Sequence, residues 1–168
     1  MIHEVTLDVN GRQHRLAVKS QETLLEALRD RLKLFGARES CGMSLCGACT
    51  VLVDELPVSS CSYLAARAES RRITTVEGLA DGQNVNPVQQ AFLEHGAFQC
   101  SYCTPGFLLA TRELLDDCSQ PSRAEIRDAL AGNLCRCGSY VKIEAAVLDA
   151  AQRRAASEPV EVRDGGVA

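Results

Sequence analysis

The sequence predicts an α+β chain, with β-structure in its first half and helices alone in its second. Three observations carry this. Apolar residues alternate with polar ones up to about Val76 and then stop alternating. After Asn86 the apolar spacing becomes three and four, with Asn, Thr and Ser where each helix would begin. Eight of the nine cysteines fall into two groups of four, one in each half. This divides the chain into a first domain at 1–78, a second at 79–154 and a flexible tail at 155–168.

Val5, Leu7 and Val9 alternate with polar residues, and Leu16 and Val18 do so again after Asn10-Gly11. That is a β-hairpin closed by a type I′ turn, which needs two residues with positive φ. A helix should follow, capped by Ser20, with Leu24, Leu25, Leu28 and Leu32 on one face. Thr50-Val51-Leu52-Val53 reads as a strand, Asp54-Glu55 as a turn, and Pro57-Val58 as the start of the return strand. Ile73 to Val76 reads as one more short strand. The segment Gly78 to Asn84 is the linker candidate, rich in Gly, Asp and Asn.

Four helices are expected beyond it. Asn86 caps and Pro87 opens the first, which runs to about His95 with Gly96 at its end. Thr104 caps and Pro105 opens the second. Ser122 and Glu125 form a capping box for the third. The fourth runs from about Tyr140 to Arg153. Their amphipathic spacing predicts a small four-helix bundle.

Composition narrows the function. The chain has 168 residues, 46% of them hydrophobic, with a formal net charge of −4. A nucleic-acid binder would be basic. Aromatics are 4% and Trp is absent, which argues against recognition by ring stacking. No apolar run reaches membrane-spanning length and no export signal is visible at Met1-Ile2-His3-Glu4, so a cytoplasmic protein is expected. Nine cysteines in a reducing compartment point to metal or redox chemistry rather than disulfides. No nucleophile–base set, catalytic carboxylate pair or phosphate loop can be assembled.

The first cysteine group is Cys41, Cys46, Cys49 and Cys61. Its C-x4-C-x2-C spacing with a distant fourth Cys is that of plant-type ferredoxins, which hold a [2Fe–2S] cluster on four thiolates. Gly42 and Gly47 let the loop fold inward, so that backbone N–H groups can aim at sulfur and influence the reduction potential. Zinc sites more often pair two short C-x2–4-C units. A sheet crossed by one helix, carrying such a loop, would be a β-grasp ferredoxin-like domain. The second group is Cys100, Cys103, Cys135 and Cys137. The C-x2-C pair precedes a helix and the C-x-C pair follows Gly132-Asn133, so antiparallel helices bring both to one end of the bundle. Here a four-thiolate zinc site and a second iron–sulfur cluster are both open.

Taken together, the segment from about Val5 to Ala151 resembles the small iron–sulfur subunit of the molybdenum hydroxylases, the xanthine oxidase family. The residues that carry the likeness are Cys41 to Val53 (CGMSLCGACTVLV), Thr75 to Leu79 (TVEGL), Phe98 to Gly106 (FQCSYCTPG) and Gly132 to Tyr140 (GNLCRCGSY). The resemblance implies two [2Fe–2S] clusters on this chain. It implies a large partner subunit with a molybdopterin cofactor, a medium subunit with FAD, and a dimer of heterotrimers. Substrate is hydroxylated at molybdenum, and single electrons leave through the two clusters to FAD or another acceptor. Gln99 matches a glutamine whose amide hydrogen-bonds the pterin, and Cys137 a ligand whose sulfur approaches it.

Two places depart from the family pattern. Met43-Ser44-Leu45 stands where Glu-Gly-Gly or similar small residues are usual, which changes the surroundings of the loop sulfurs. Gly138-Ser139 follows the C-x-C pair, as also in relatives that lack FAD and deliver electrons to a cytochrome. The rival readings are a free-standing two-cluster ferredoxin and a colourless zinc-stabilised interaction module.

Overall fold

The computed structural model describes residues 1–80, 82 and 84–157. Strands β1 (Ile2–Val9) and β2 (Arg12–Lys19) pair antiparallel, with Val9 opposite Arg12. Asn10 and Gly11 between them have φ of 52° and 75°, as a type I′ turn requires. The next element starts later than expected. Thr23, not Ser20, is the cap: its hydroxyl accepts from the Glu26 amide while the Glu26 carboxylate accepts from the Thr23 amide. Ser20 is instead tied into the end of the hairpin, through its amide and hydroxyl to Met1 O. Helix α1 spans only Leu24–Glu26 and continues as a π-helical turn over Ala27–Arg31. Leu24, Leu25 and Leu28 are nevertheless buried against the sheet, as their spacing predicts.

Strands β3 (Thr50–Val53) and β4 (Leu56–Ser59) form a second hairpin across Asp54-Glu55. Strand β5 (Arg72–Thr74) ends before Thr75 and Val76, which the sequence had placed in it. Thr75 is fully buried and its amide and hydroxyl are bound to the Asn10 side chain, which ends the strand there. The sheet order is β2-β1-β5-β3-β4, with β5 parallel to β1 and antiparallel to β3.

Among the described residues the second half carries the helices α2 (Pro87–Glu94), α3 (Thr104–Asp117), α4 (Arg123–Ala129) and α5 (Tyr140–Ser157). Asn86 and Ser122 cap α2 and α4 by capping boxes. Helix α3 begins one residue earlier than expected. Cys103 occupies its cap position in the αR conformation, and Thr104 is its first residue. Helix α5 takes in Ala155 to Ser157, three residues of the expected tail; the rest of that tail lies outside the described residues. Phe92 and Phe107 are buried at the bundle centre with Leu109, Ile126, Ile143 and Val147. Burial of each such side chain contributes roughly 1.5–3 kcal/mol.

The two halves pack against each other beside both cysteine groups. The Leu134 amide donates to Cys46 O at 2.9 Å, and the Asn133 side-chain amide donates to Gly47 O at 3.1 Å. Arg38 donates to Ser101 O and lies over the Tyr102 ring, 5.3 Å from its centre. Arg112 of α3 pairs with Glu55 in the β3–β4 turn at 3.1 Å. The approach is so close that a Cβ on Gly106 would lie 2.2 Å from Gly47 O.

Candidate iron–sulfur sites

The first cysteine loop leaves the π-turn segment and returns at β3. Gly42, Ser44 and Gly47 all take positive φ, of 65°, 61° and 67°, and this coils the backbone around Cys41. The amides of Met43 and Leu45 point at Cys41 Sγ, at 3.5 and 3.4 Å. Those two amides, with help from the Cys46 thiol, lower the Cys41 thiol to about 7, so the anion is favoured there. Cys49 is buried at the foot of β3, and burial pushes its thiol up to about 11. Cys61 follows β4, whose pairing with β3 returns the chain to Cys49. Ser60 fixes this approach by donating its amide and hydroxyl to Cys49 O, at 3.3 and 2.6 Å.

The second group lies at one end of the bundle. Cys100 and Cys103 come from the α2–α3 connection, and Cys135 and Cys137 from the α4–α5 connection. Cys100 and Cys137 have their sulfurs 3.6 Å apart and are both exposed. The Tyr102 amide and the Cys137 thiol lower the Cys100 thiol. Burial, and then the Cys135 thiol, push Cys103 up to about 12. Burial opposes ionisation of Cys135 as well, but the Ser139 amide, 3.4 Å from its sulfur, brings it below the ordinary thiol value. The Cys135 amide in turn donates to Tyr140 Oη at 2.9 Å.

Cys41 neighbours Cys46, Cys49 neighbours Cys61, Cys100 neighbours Cys137 and Cys103 neighbours Cys135, and in the second group Cys100 also lies within electrostatic reach of Cys103 and Cys135. Among the described residues no three Cys, His, Asp or Glu side chains close on one point. A two-iron cluster takes two thiolates on each iron, and this donor set, with amides aimed at sulfur, fits it. Cys118 belongs to neither group. It ends α3 half-buried against the helical core. Gln99 is exposed, and its side-chain amide donates to Cys137 O at 2.9 Å.

Sequence reasoning did not foresee Ser44 and Ser62 beside Cys61, nor Asn133 and Leu134 as the joint between the halves. Ser44 could have been found as a non-glycine in a loop that asks for left-handed backbone. Asn133 and Leu134 carry no local signal.

Residues 7–79 match the family described as "2Fe-2S iron-sulfur cluster binding domain", and residues 75–148 the "[2Fe-2S] binding domain" family. The nicotine 6-hydroxylase small subunit of Paenarthrobacter nicotinovorans is 48% identical over 147 residues, covering 88% of each chain. The nicotinate dehydrogenase small FeS subunit of Eubacterium barkeri is 42% identical over 149 residues, covering 89% of this chain and 95% of that one. The chain belongs to the iron–sulfur subunits of the molybdenum hydroxylases. The solved structure of quinoline 2-oxidoreductase from Pseudomonas putida 86 superposes on this iron–sulfur subunit with a TM-score of 0.88 at 37% identity, over 94% of this chain and 99% of that one. The subunit carries two [2Fe–2S] clusters and serves electron transfer within an oxidoreductase complex with partner subunits. Among the described residues no helix is long and apolar enough to cross a membrane.

Proposed function

We propose that this subunit carries single electrons from a molybdopterin centre in a large partner subunit to an FAD subunit or another acceptor, within a dimer of heterotrimers. Cys100, Cys103, Cys135 and Cys137 hold the cluster on the molybdopterin side. Cys41, Cys46, Cys49 and Cys61 hold the cluster on the acceptor side. The domain boundary falls at Gly78–Leu79. Each cluster, when bound, supplies a site for one electron. The chain's own residues set the geometry around it: the amides of Met43, Leu45 and Ser139 face sulfur, and Leu134 ties one cysteine group to the other.

The observation that carries this reading is the exposed edge of the second group. Cys100, Cys137 and Gln99 all reach the surface there. Leu134, Tyr140 and Val141 nearby are 53%, 47% and 83% exposed, and with Phe107 and Ile126 they line a groove of about 620 Å³. An apolar face of this kind marks a protein partner. It supports docking of the large subunit with Gln99 and Cys137 towards the pterin. The partner chooses the substrate. The nicotine, nicotinate and quinoline named for the relatives support an N-heteroaromatic ring for the assembled enzyme. This reading places the complex in a reducing compartment such as the cytoplasm, where cluster thiolates are kept from forming disulfides.

The test is anaerobic purification of the native complex, with iron, sulfide, zinc and molybdenum counted and EPR recorded after reduction. The reading expects about four irons per chain with two rhombic signals, and molybdenum in a larger partner. Iron without molybdenum would indicate a free ferredoxin, and zinc in place of the second cluster's iron would refute the relay.

A further inference from the structure

Within Met43-Ser44-Leu45, where the chain departs from the family pattern, the Ser44 side chain reaches Cys61 of the first group. Its φ of 61° places a non-glycine residue in the left-handed region, a conformation disfavoured for most side chains. Its hydroxyl donates to Ser62 Oγ at 2.5 Å and lies 3.9 Å from Cys61 Sγ, a contact in which either atom can be the donor. Ser62 Oγ lies 3.3 Å from Ser59 O, a weak contact that it can release.

The protons at this small network can be counted. A hydroxyl has one proton and two lone pairs. As a metal ligand Cys61 is a thiolate, and a thiolate has no proton to give. The proton for the Ser44–Cys61 contact must then come from Ser44. With its proton turned to sulfur, Ser44 no longer donates to Ser62 but accepts from it, and Ser62 gives up Ser59 O. The two hydroxyls thus form a short chain, Ser62 to Ser44 to Cys61, ending on sulfur.

We infer that the Ser44 hydroxyl, held by Ser62, donates to Cys61 and raises the reduction potential of the first cluster relative to the second. The reduced cluster carries one more negative charge, so a donor at its sulfur stabilises the reduced form more than the oxidised one. One electron enters, no covalent bond changes, and the hydroxyl proton stays on Ser44. This makes the acceptor-side cluster the better electron sink, as the proposed relay requires. The inference rests on the proposal that Cys61 is a ligand of that cluster. Ser44 is a positioning residue: it acts on sulfur and touches no substrate.

The experiment is an EPR-monitored reductive titration of the purified complex, wild type against Ser44→Gly. Glycine adopts φ of 61° at no steric cost, so the loop geometry is kept. The expected result is about a tenfold fall in the ratio of reduced to oxidised first cluster at fixed potential, or a midpoint about 59 mV lower, with the second cluster unmoved. Ser62→Ala removes the hydroxyl that holds Ser44 and should lower the first midpoint in the same direction, by less than Ser44→Gly does. Ser44→Ala provides the same reading should the glycine variant load poorly. Two intact signals with an unmoved first midpoint in Ser44→Gly or Ser44→Ala would overturn the inference and leave the relay standing. A wild-type complex lacking the first signal would overturn the ligand assignment, and the inference with it.

Discussion

The backbone amide of Leu134 donates to the carbonyl oxygen of Cys46 across 2.9 Å, so a cysteine of the first group and the residue preceding Cys135 share one hydrogen bond. Asn133, the next residue back, is buried and donates its side-chain amide to Gly47 O. Replacing Asn133 with Ala removes the donor from the helical half, while Gly47 O keeps the Thr50 amide and hydroxyl. The expected cost is that of one hydrogen bond, about 0.5–1.5 kcal/mol, read as a lower urea midpoint. An unchanged midpoint would mean that water replaces the amide.

Gly106 allows α3 to rest on the first cysteine loop. In Gly106→Ala the added methyl carbon would meet Gly47 O at 2.2 Å and the Asn133 side-chain nitrogen at 3.0 Å. Backbone cannot yield as a side-chain tip does, so the halves must part. We expect a loss of roughly 1–3 kcal/mol or more and reduced iron content per chain. Full iron loading at wild-type stability would show that the joint adapts.

Gln99→Ala removes an exposed side chain whose described hydrogen bond is to Cys137 O. Both cluster signals should persist, because no thiol is touched. Turnover of the assembled enzyme should fall by about tenfold, the equivalent of roughly 1.4 kcal/mol of lost transition-state positioning. Turnover equal to wild type would remove Gln99 from the pterin contact.

Helices α2 and α5 are clamped by charges. Arg153 pairs with Glu94 and, at 2.8 Å, with Asp149, which also meets His95 at 3.1 Å. Hydrogen bonds from Arg153, and then from Gln90, hold Glu94 below the usual carboxylate range; Arg153 and then His95 do the same for Asp149. A folded value below the unfolded one means stability that is present above the ordinary range, about pH 4, and lost as pH falls through the depressed values. Thermal melts from pH 6 to pH 2 should show a steeper decline in wild type than in Arg153→Met. Parallel declines would show that solvent already screens the clamp.

The hairpins were legible because an alternating run ends at Asn10-Gly11 and an apolar run at Asp54-Glu55; Asn10, Gly11 and Asp54 are types that accept the positive φ found there, while Glu55 takes φ of 67° against its ordinary preference. Both cysteine groups were legible from spacing alone. The start of α1 was not. Ser20 and Thr23 are both good caps, and the choice was made by the hairpin, which engages Ser20 with Met1 and His3. The π-turn after Glu26 had no signal, since the leucine spacing also fits an α-helix. The joint between the halves was hidden for a different reason: Asn133 and Gly47 are 86 residues apart, and only the folded chain brings them together.

Strand β3 has one further consequence. All four of its residues are buried, but not in one place: Val51 and Val53 face the core beneath the sheet, while Leu52 belongs to the core of the helices. One stretch of backbone is thus a wall common to two rooms. Neither half can melt without stripping apolar cover from the other, so heat or denaturant should meet a single cooperative transition. A fragment cut at Gly78 would leave Leu52 exposed on one piece and an empty socket in the other.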